Sequence, residues 1–214
     1  MHKKQKSIFL EGEGDSWFSR NKHVSQDKMN LGELEKFIKP GFRILEIGCS
    51  DGRNSWIAEK MGATYFGIDP SAKAIALARI THPTSQFDVG TSDSLNFPDN
   101  HFDILFFGFC LYLVDRSLLC KTVSEADRVL KSPGFLSILD FDTKYPYKRP
   151  YSHMSGVSTY KMDYGQVFLS FPHYVSAFKK VFSHDKKDDY EVSIQERCSV
   201  QVLYKNLGQG YFGE

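Results

Sequence analysis

From about residue 31 to 140 the chain switches repeatedly between two hydrophobic periods. LGELEKFI, NSWIAEKMG, SAKAIALARI and SLLCKTVSEADRVL repeat their apolar residues at helical spacing. Between them lie short unbroken apolar runs, FRILEIG, TYFGID, FDILFFGF and FLSILDF, bounded by Gly, Pro or Asp. Such runs suit strands covered on both faces, and strands alternating with helices imply right-handed βαβ crossovers. The pattern predicts an α/β fold with a doubly wound, mostly parallel sheet. YEVSIQ and SVQVLYKNL, separated by ERC, read as an antiparallel pair closing one sheet edge. Ligands of open α/β sheets bind beyond the carboxyl ends of the strands, so those ends are where chemistry is expected.

Composition narrows the classes. The 214 residues are 41% hydrophobic and 25% charged, which excludes disordered, collagen-like and coiled-coil chains. Lys plus Arg total 27 against 26 Asp plus Glu, so the formal charge of +1 gives no reason to expect a nucleic-acid partner or an anionic membrane. Cys49, Cys110, Cys120 and Cys198 form no CxxC pair and read as buried free thiols, with neither disulfides nor a metal site expected. The apolar stretches Ile8 to Leu10 and Ile104 to Val114 are too short for a signal peptide core and a membrane span respectively. A cytoplasmic protein is expected. The charge run from His184 to Glu191 reads as a solvated turn.

The first strand runs into Glu46, Ile47, Gly48, Cys49, Ser50, Asp51 and Gly52, a turn whose small residues permit tight backbone and close ligand approach. It is neither GxGxxG nor a P-loop, which disfavours a pyrophosphate cradle. Asp69 ends the second strand, 21 residues after Gly48, where a carboxylate can accept from both hydroxyls of a ribose. Two alternatives stand beside this: a purely structural turn, and Asp69 as the cap of a helix starting near Ser71. Together the turn and the carboxylate favour an adenosine-containing ligand.

In order and spacing, ILEIGCSDG, YFGIDPS, GTSDSLNFPDNHFDILFFGFCLYLVD and EADRVLKSPGFLSILDF resemble the class I S-adenosylmethionine-dependent methyltransferases, in particular the ubiquinone-methyltransferase-like type 11 branch, over roughly Arg43 to Phe141. The resemblance implies a Rossmann-like sheet of seven strands with an antiparallel C-terminal strand, S-adenosyl-L-methionine as cofactor, and methyl transfer to a small-molecule acceptor. It places Glu46, Gly48, Cys49, Ser50 and Gly52 in the loop under the cofactor, Asp69 on the ribose and Pro70 against the adenine. Thr91, Ser92 and Asp93 fall in the adenine-contacting stretch, with Thr91 standing where the family usually has Asp. Phe107, Gly108 and Phe109 fall beside the methionyl group.

The stretch FLEGEGDSWFSRN resembles the leader of methyltransferases associated with surface-polysaccharide sugars, which implies that residues 1–30 cover the cofactor site and that Arg20 contributes to it. A short helix packing its aromatics on the sheet is the plainer alternative. Residues 31–214 then form one methyltransferase domain with a substrate lid at about 141–172. Tyr145, Tyr147, Tyr151 and Tyr160, with Tyr112 facing the same pocket, suit a ring such as that of a sugar or polysaccharide precursor. For proton removal, His153 is the expected base and Asp142 its substitute. Two other functions stay open, a non-catalytic relative that binds a partner and a nicotinamide-dependent oxidoreductase.

Overall fold

The computed structural model describes residues 4–23, 33–184 and 195–210. A helical run opens the chain as α1 (Gln5–Ile8), a π-helical stretch over Phe9–Glu13 and α2 (Gly14–Asn21), bent at Gly12, whose φ is +150°. Then come β1 (Arg43–Ile47), α3 (Trp56–Met61), β2 (Thr64–Asp69), α4 (Ala72–Thr81), β3 (Gln86–Val89), β4 (Phe102–Gly108), α5 (Leu119–Val129) and β5 (Leu130–Phe141). The chain continues through β6 (Tyr147–Pro150), β7 (Ser158–Lys161), α6 (Gly165–Leu169), β8 (Tyr174–Ser183), β9 (Arg197–Lys205) and α7 (Leu207–Gly210).

Seven strands form one sheet in the order β3-β2-β1-β4-β5-β9-β8. The first five are parallel, and β9 is antiparallel to both β5 and β8. The doubly wound expectation therefore holds. Strand order reverses between β1 and β4, which leaves a crevice at their carboxyl ends. The interior strands are buried on both faces, as β1 and β4 show, because helices cover each side. One apolar cluster, around Leu45, Phe107 and Tyr164, lies on one face; another, around Ile44, Cys49, Phe87 and Phe106, lies on the opposite face.

Several details differ from the sequence expectation. LGELEKFI yields only a short 3-10 turn at Leu34–Phe37, with its first two residues outside the described region. The antiparallel edge does form, but the partner of β9 is Tyr174–Ser183; residues 185–194, which hold most of YEVSIQ and of the charge run, lie outside the described residues. β3 went unpredicted because only Phe87 of its four residues is buried. Cys120 is exposed and Cys110 half-buried, whereas Cys49 and Cys198 are buried free thiols as expected. Among the described residues no helix is long and apolar enough to cross a membrane.

Candidate active site

A cavity of about 820 Å³, open solvent at its mouth included, lies at the strand-order reversal. Its walls come from the ends of β1 (Ile47, Gly48), β2 (Asp69, Pro70) and β4 (Gly108, Phe109, Cys110), from Gly90–Asp93 after β3, and from Leu113, Val114, Asp115 and Leu118. Lys6, Phe9, Gly14 and Trp17 of the opening helical run complete it.

The backbone N–H groups of Gly48 and Cys49 both donate to the carbonyl of Ile68, at 2.9 and 3.1 Å, which folds the loop after β1 back toward β2. Gly48 has φ of +80°, and a Cβ there would fall 2.7 Å from the Cys110 Cβ. At Gly108 a Cβ would fall 2.3 Å from Oε1 of Glu46. The floor of the cavity is thus bare backbone for steric reasons, a surface that a ligand can approach closely.

Asp69 is half-buried beside this floor. Its Oδ2 accepts from the Ser50 N–H at 2.9 Å and its Oδ1 from the Ser71 N–H at 2.8 Å. Burial pushes the carboxyl up to about 6 against these hydrogen bonds. At the start of α4 Asp69 holds only the N–H of the N-cap residue Ser71, and other groups take the N–H groups inside the helix. The Ser71 hydroxyl accepts from Ala74 N–H at 3.0 Å, and Asp15 of α2 accepts from Lys73 N–H at 3.0 Å and from the Ser71 hydroxyl at 2.7 Å. With one N–H on each oxygen, the carboxylate keeps lone pairs for a diol.

On the adjoining wall Asp93, itself buried, takes Lys6 Nζ at 2.8 Å. Burial raises the Asp93 carboxyl, but the hydrogen bonds from Lys6 and Thr91 outweigh it and hold the group below the usual range. Ser92 bonds Thr122 of α5 at 2.9 Å, which fixes this stretch to the fold. Asp140, at the end of β5, accepts from the N–H groups of Leu111 (2.8 Å), Tyr112 (3.4 Å) and Phe141 (2.7 Å) and so fixes the turn after β4. Burial pushes its carboxyl to about 7.

Of the residues singled out in the sequence, the structure brings Gly48, Asp69, Pro70, Thr91, Ser92, Asp93, Gly108 and Phe109 to one cavity. The others lie elsewhere. Glu46 sits beneath the floor, fully buried, accepting from Asn54 Nδ2 at 2.8 Å and from the Tyr65 hydroxyl. Its burial pushes it to about 7. Cys49 points into the core against Gly67, and Phe107 is a core ring. Ser50 contributes its backbone N–H to Asp69, and Gly52 packs against Phe87. Arg20 donates to Glu13 Oε1 and to the Tyr151 hydroxyl at 3.0 Å, off the cavity wall.

Nor do the expected lid tyrosines and bases line the cavity. Tyr145 is exposed, Tyr147 donates to the carbonyl of Gln195, and Tyr151 packs with Phe9 and Val157. The Tyr160 ring lies under the Arg116 guanidinium at 4.6 Å. Tyr112 packs behind Phe109, 5.5 Å between rings. His153 is exposed beside Tyr151, 5.2 Å away. Asp142 is buried between Lys179 Nζ (3.0 Å) and Arg197 Nε (3.2 Å). No group of three or more His, Cys, Asp or Glu able to hold a metal occurs among the described residues.

Sequence reading missed Lys6, Phe9, Leu113, Val114, Asp115 and Leu118 as wall residues. Lys6 and Asp93 are 87 positions apart, so no local pattern signals their pairing.

Residues 45–138 match the family described as "Methyltransferase domain". An uncharacterized methyltransferase of Synechocystis sp. is 29% identical over 121 residues, covering 52% of this chain and 57% of that protein. Phosphoethanolamine N-methyltransferase 1 of Arabidopsis thaliana is 28% identical over 192 residues, covering 85% of this chain and 34% of that protein. The chain thus spans roughly a third to just over half the length of these two relatives. Among solved structures, a Burkholderia thailandensis 1,6-didemethyltoxoflavin-N1-methyltransferase with bound 1,6-didemethyltoxoflavin and S-adenosylhomocysteine superposes with a TM-score of 0.68 at 14% identity, covering 94% of this chain and 88% of that one.

Proposed function

We propose that the chain, whose residues 45–138 match the methyltransferase-domain family and whose fold is that of the class I S-adenosylmethionine-dependent methyltransferases, binds S-adenosylmethionine in the cavity and transfers a methyl group to a small-molecule acceptor. One observation carries the proposal: a bare glycine floor and the Asp69 carboxylate, with one N–H on each oxygen and lone pairs to spare, meet at the strand-order reversal.

The residues present fit that cofactor. Asp69 would accept from the ribose hydroxyls, Pro70, Thr91 and Ser92 would flank the adenine, and Gly48 with Gly108 would leave room for the methionyl chain. When bound, the cofactor supplies an electrophilic methyl on its sulfonium. The opening helical run covers the site, with Lys6 locked to Asp93 and Phe9, Gly14 and Trp17 on the wall. Holding an acceptor atom about 3 to 3.5 Å from the methyl carbon supplies much of the acceleration of such a displacement. No histidine lines the cavity among the described residues, and His153 and Asp142 stand off its wall, so the proposal gives neither a role. The tyrosines that prompted the sugar expectation also stand off this wall, so the acceptor is proposed at the level of a small molecule. The Burkholderia structure, with bound 1,6-didemethyltoxoflavin, is one neighbour that supports that level.

Melting the protein with S-adenosylhomocysteine, S-adenosylmethionine and NADH tests the proposal. A ligand at 100 times its dissociation constant stabilises by about 2.7 kcal/mol. At about 2 to 4 °C per kcal/mol for a domain of this size, the two adenosyl ligands raise the melting temperature by several degrees. A shift with NADH alone points to the oxidoreductase, and no shift with either adenosyl ligand points to the non-catalytic relative.

A further inference from the structure

Phe109, immediately after β4, has φ of +57°. A bulky L residue is a genuine outlier in this left-handed region, which glycine occupies freely. The conformation is fixed from outside: the Phe109 N–H donates to the carbonyl of Leu139 on β5 at 2.8 Å, and Asp140 anchors the turn that follows. A phenyl ring is therefore held at a position where the backbone favours no side chain.

The ring is half-buried and forms part of the cavity wall. It is backed by a cluster of three other rings. Phe141 at the end of β5 lies 5.2 Å away, Tyr112 5.5 Å and His184, just after β8, 5.5 Å. Tyr112 and His184 also contact Phe141, at 5.3 and 5.4 Å. Trp17 and Phe9 also line the cavity wall.

The polar side chains of the wall are Lys6, Asp69, Thr91, Ser92, Asp93 and Asp115, and its ring side chains are Phe9, Trp17 and Phe109. A ring that lies flat on Phe109 leaves fewer polar groups to satisfy when it carries no hydroxyls. A flat apolar ring gains from the same wall, because aromatic rings pack favourably in offset and edge-on arrangements. We propose that Phe109 and the ring cluster behind it form the acceptor wall, and that the acceptor presents a planar aromatic or heteroaromatic ring to it. This rests on the cofactor reading above.

The test is calorimetric titration of 2-naphthol into the full chain saturated with S-adenosylhomocysteine, with uridine diphosphate glucose as the comparison. Expected is saturable 2-naphthol binding that weakens at least tenfold in Phe109→Leu, more than S-adenosylhomocysteine binding weakens, and that returns in Phe109→Tyr. Phe109→Gly relieves the left-handed strain, so it keeps the fold while removing the ring, and it shows the same loss. Binding of the sugar nucleotide without 2-naphthol, or undiminished 2-naphthol binding in Phe109→Leu and Phe109→Gly, overturns the acceptor wall. Failure of S-adenosylhomocysteine to bind the unmodified chain is a separate result: it overturns the cofactor reading and the acceptor wall with it.

Discussion

Replacing Gly52 with alanine separates a packing role from a ligand role. Gly52 belongs to the glycine turn, yet it faces the core: its φ is +72°, and a Cβ built there lies 2.5 Å from both Cε1 and Cζ of Phe87. The Phe87 ring cannot swing aside, since it is 4% exposed and wedged against Tyr65 at 5.8 Å and His82 at 6.3 Å. Alanine in the left-handed region costs about 1 to 2 kcal/mol. The added methyl against a fixed ring costs about 1 to 3 kcal/mol more. A total near 3 kcal/mol lowers the melting temperature by about 6 to 12 °C at this chain length. Scanning calorimetry measures it. Titration with S-adenosylhomocysteine below the transition should give an affinity within about twofold of the unmodified chain, because Gly52 is not on the cavity wall. In a Phe87→Leu background the cost shrinks, since side chains in contact are energetically coupled. A Gly52→Ala protein that melts normally but loses the ligand would refute this reasoning and return Gly52 to the binding loop.

Three further outcomes follow from the same geometry. Glu46, raised by burial from an ordinary 4.5 to about 7, keeps its proton longer in the folded than in the unfolded chain. Its contribution to stability is therefore present below pH 4.5 and lost as pH rises toward 7, on the order of 3 kcal/mol. Denaturant titrations should show Glu46→Gln gaining on the unmodified protein between pH 5 and 8, and a constant difference contradicts the assignment. Asp69, raised to about 6, must be ionised to accept from a diol, so S-adenosylhomocysteine affinity at pH 5 should be about tenfold weaker than at pH 7.5. Lys6→Gln leaves the buried Asp93 carboxylate with its charge uncompensated, at a cost of about 1 to 3 kcal/mol. Hydrogen exchange should then quicken in α1 while β1 and β4 stay protected; unchanged exchange in α1 would mean that the ion pair does not hold the segment.

Much of this architecture is legible because it is local. The apolar runs that become β1, β2, β4 and β5 are continuous, and the motifs carrying Gly48, Asp69 and Gly108 sit at strand ends. β3 offers only one buried side chain, so the hydrophobic pattern is silent there. The sheet edge was assigned to the wrong partner of β9 because β8 is exposed along much of its length and lacks the expected apolar rhythm. Within the site, sequence order cannot say which way a loop side chain turns. Cys49 and Gly52 share the turn with Gly48 yet face the core, and Asp142, at the mouth of β5, is held by Lys179 and Arg197 from distant strands. The ring cluster at Phe109 joins three segments spread from residue 109 to 184, a pattern that only the folded chain reveals.

The central claim is tested most directly by calorimetric titration of S-adenosylhomocysteine into the unmodified chain and into Asp69→Ala. The account predicts one site per chain in the first. It predicts an affinity at least tenfold weaker in the second, about 1.4 kcal/mol, in a protein that still folds because Ser71 and Asp15 continue to cap α4. No binding to the unmodified chain, or equal binding to both, would contradict it.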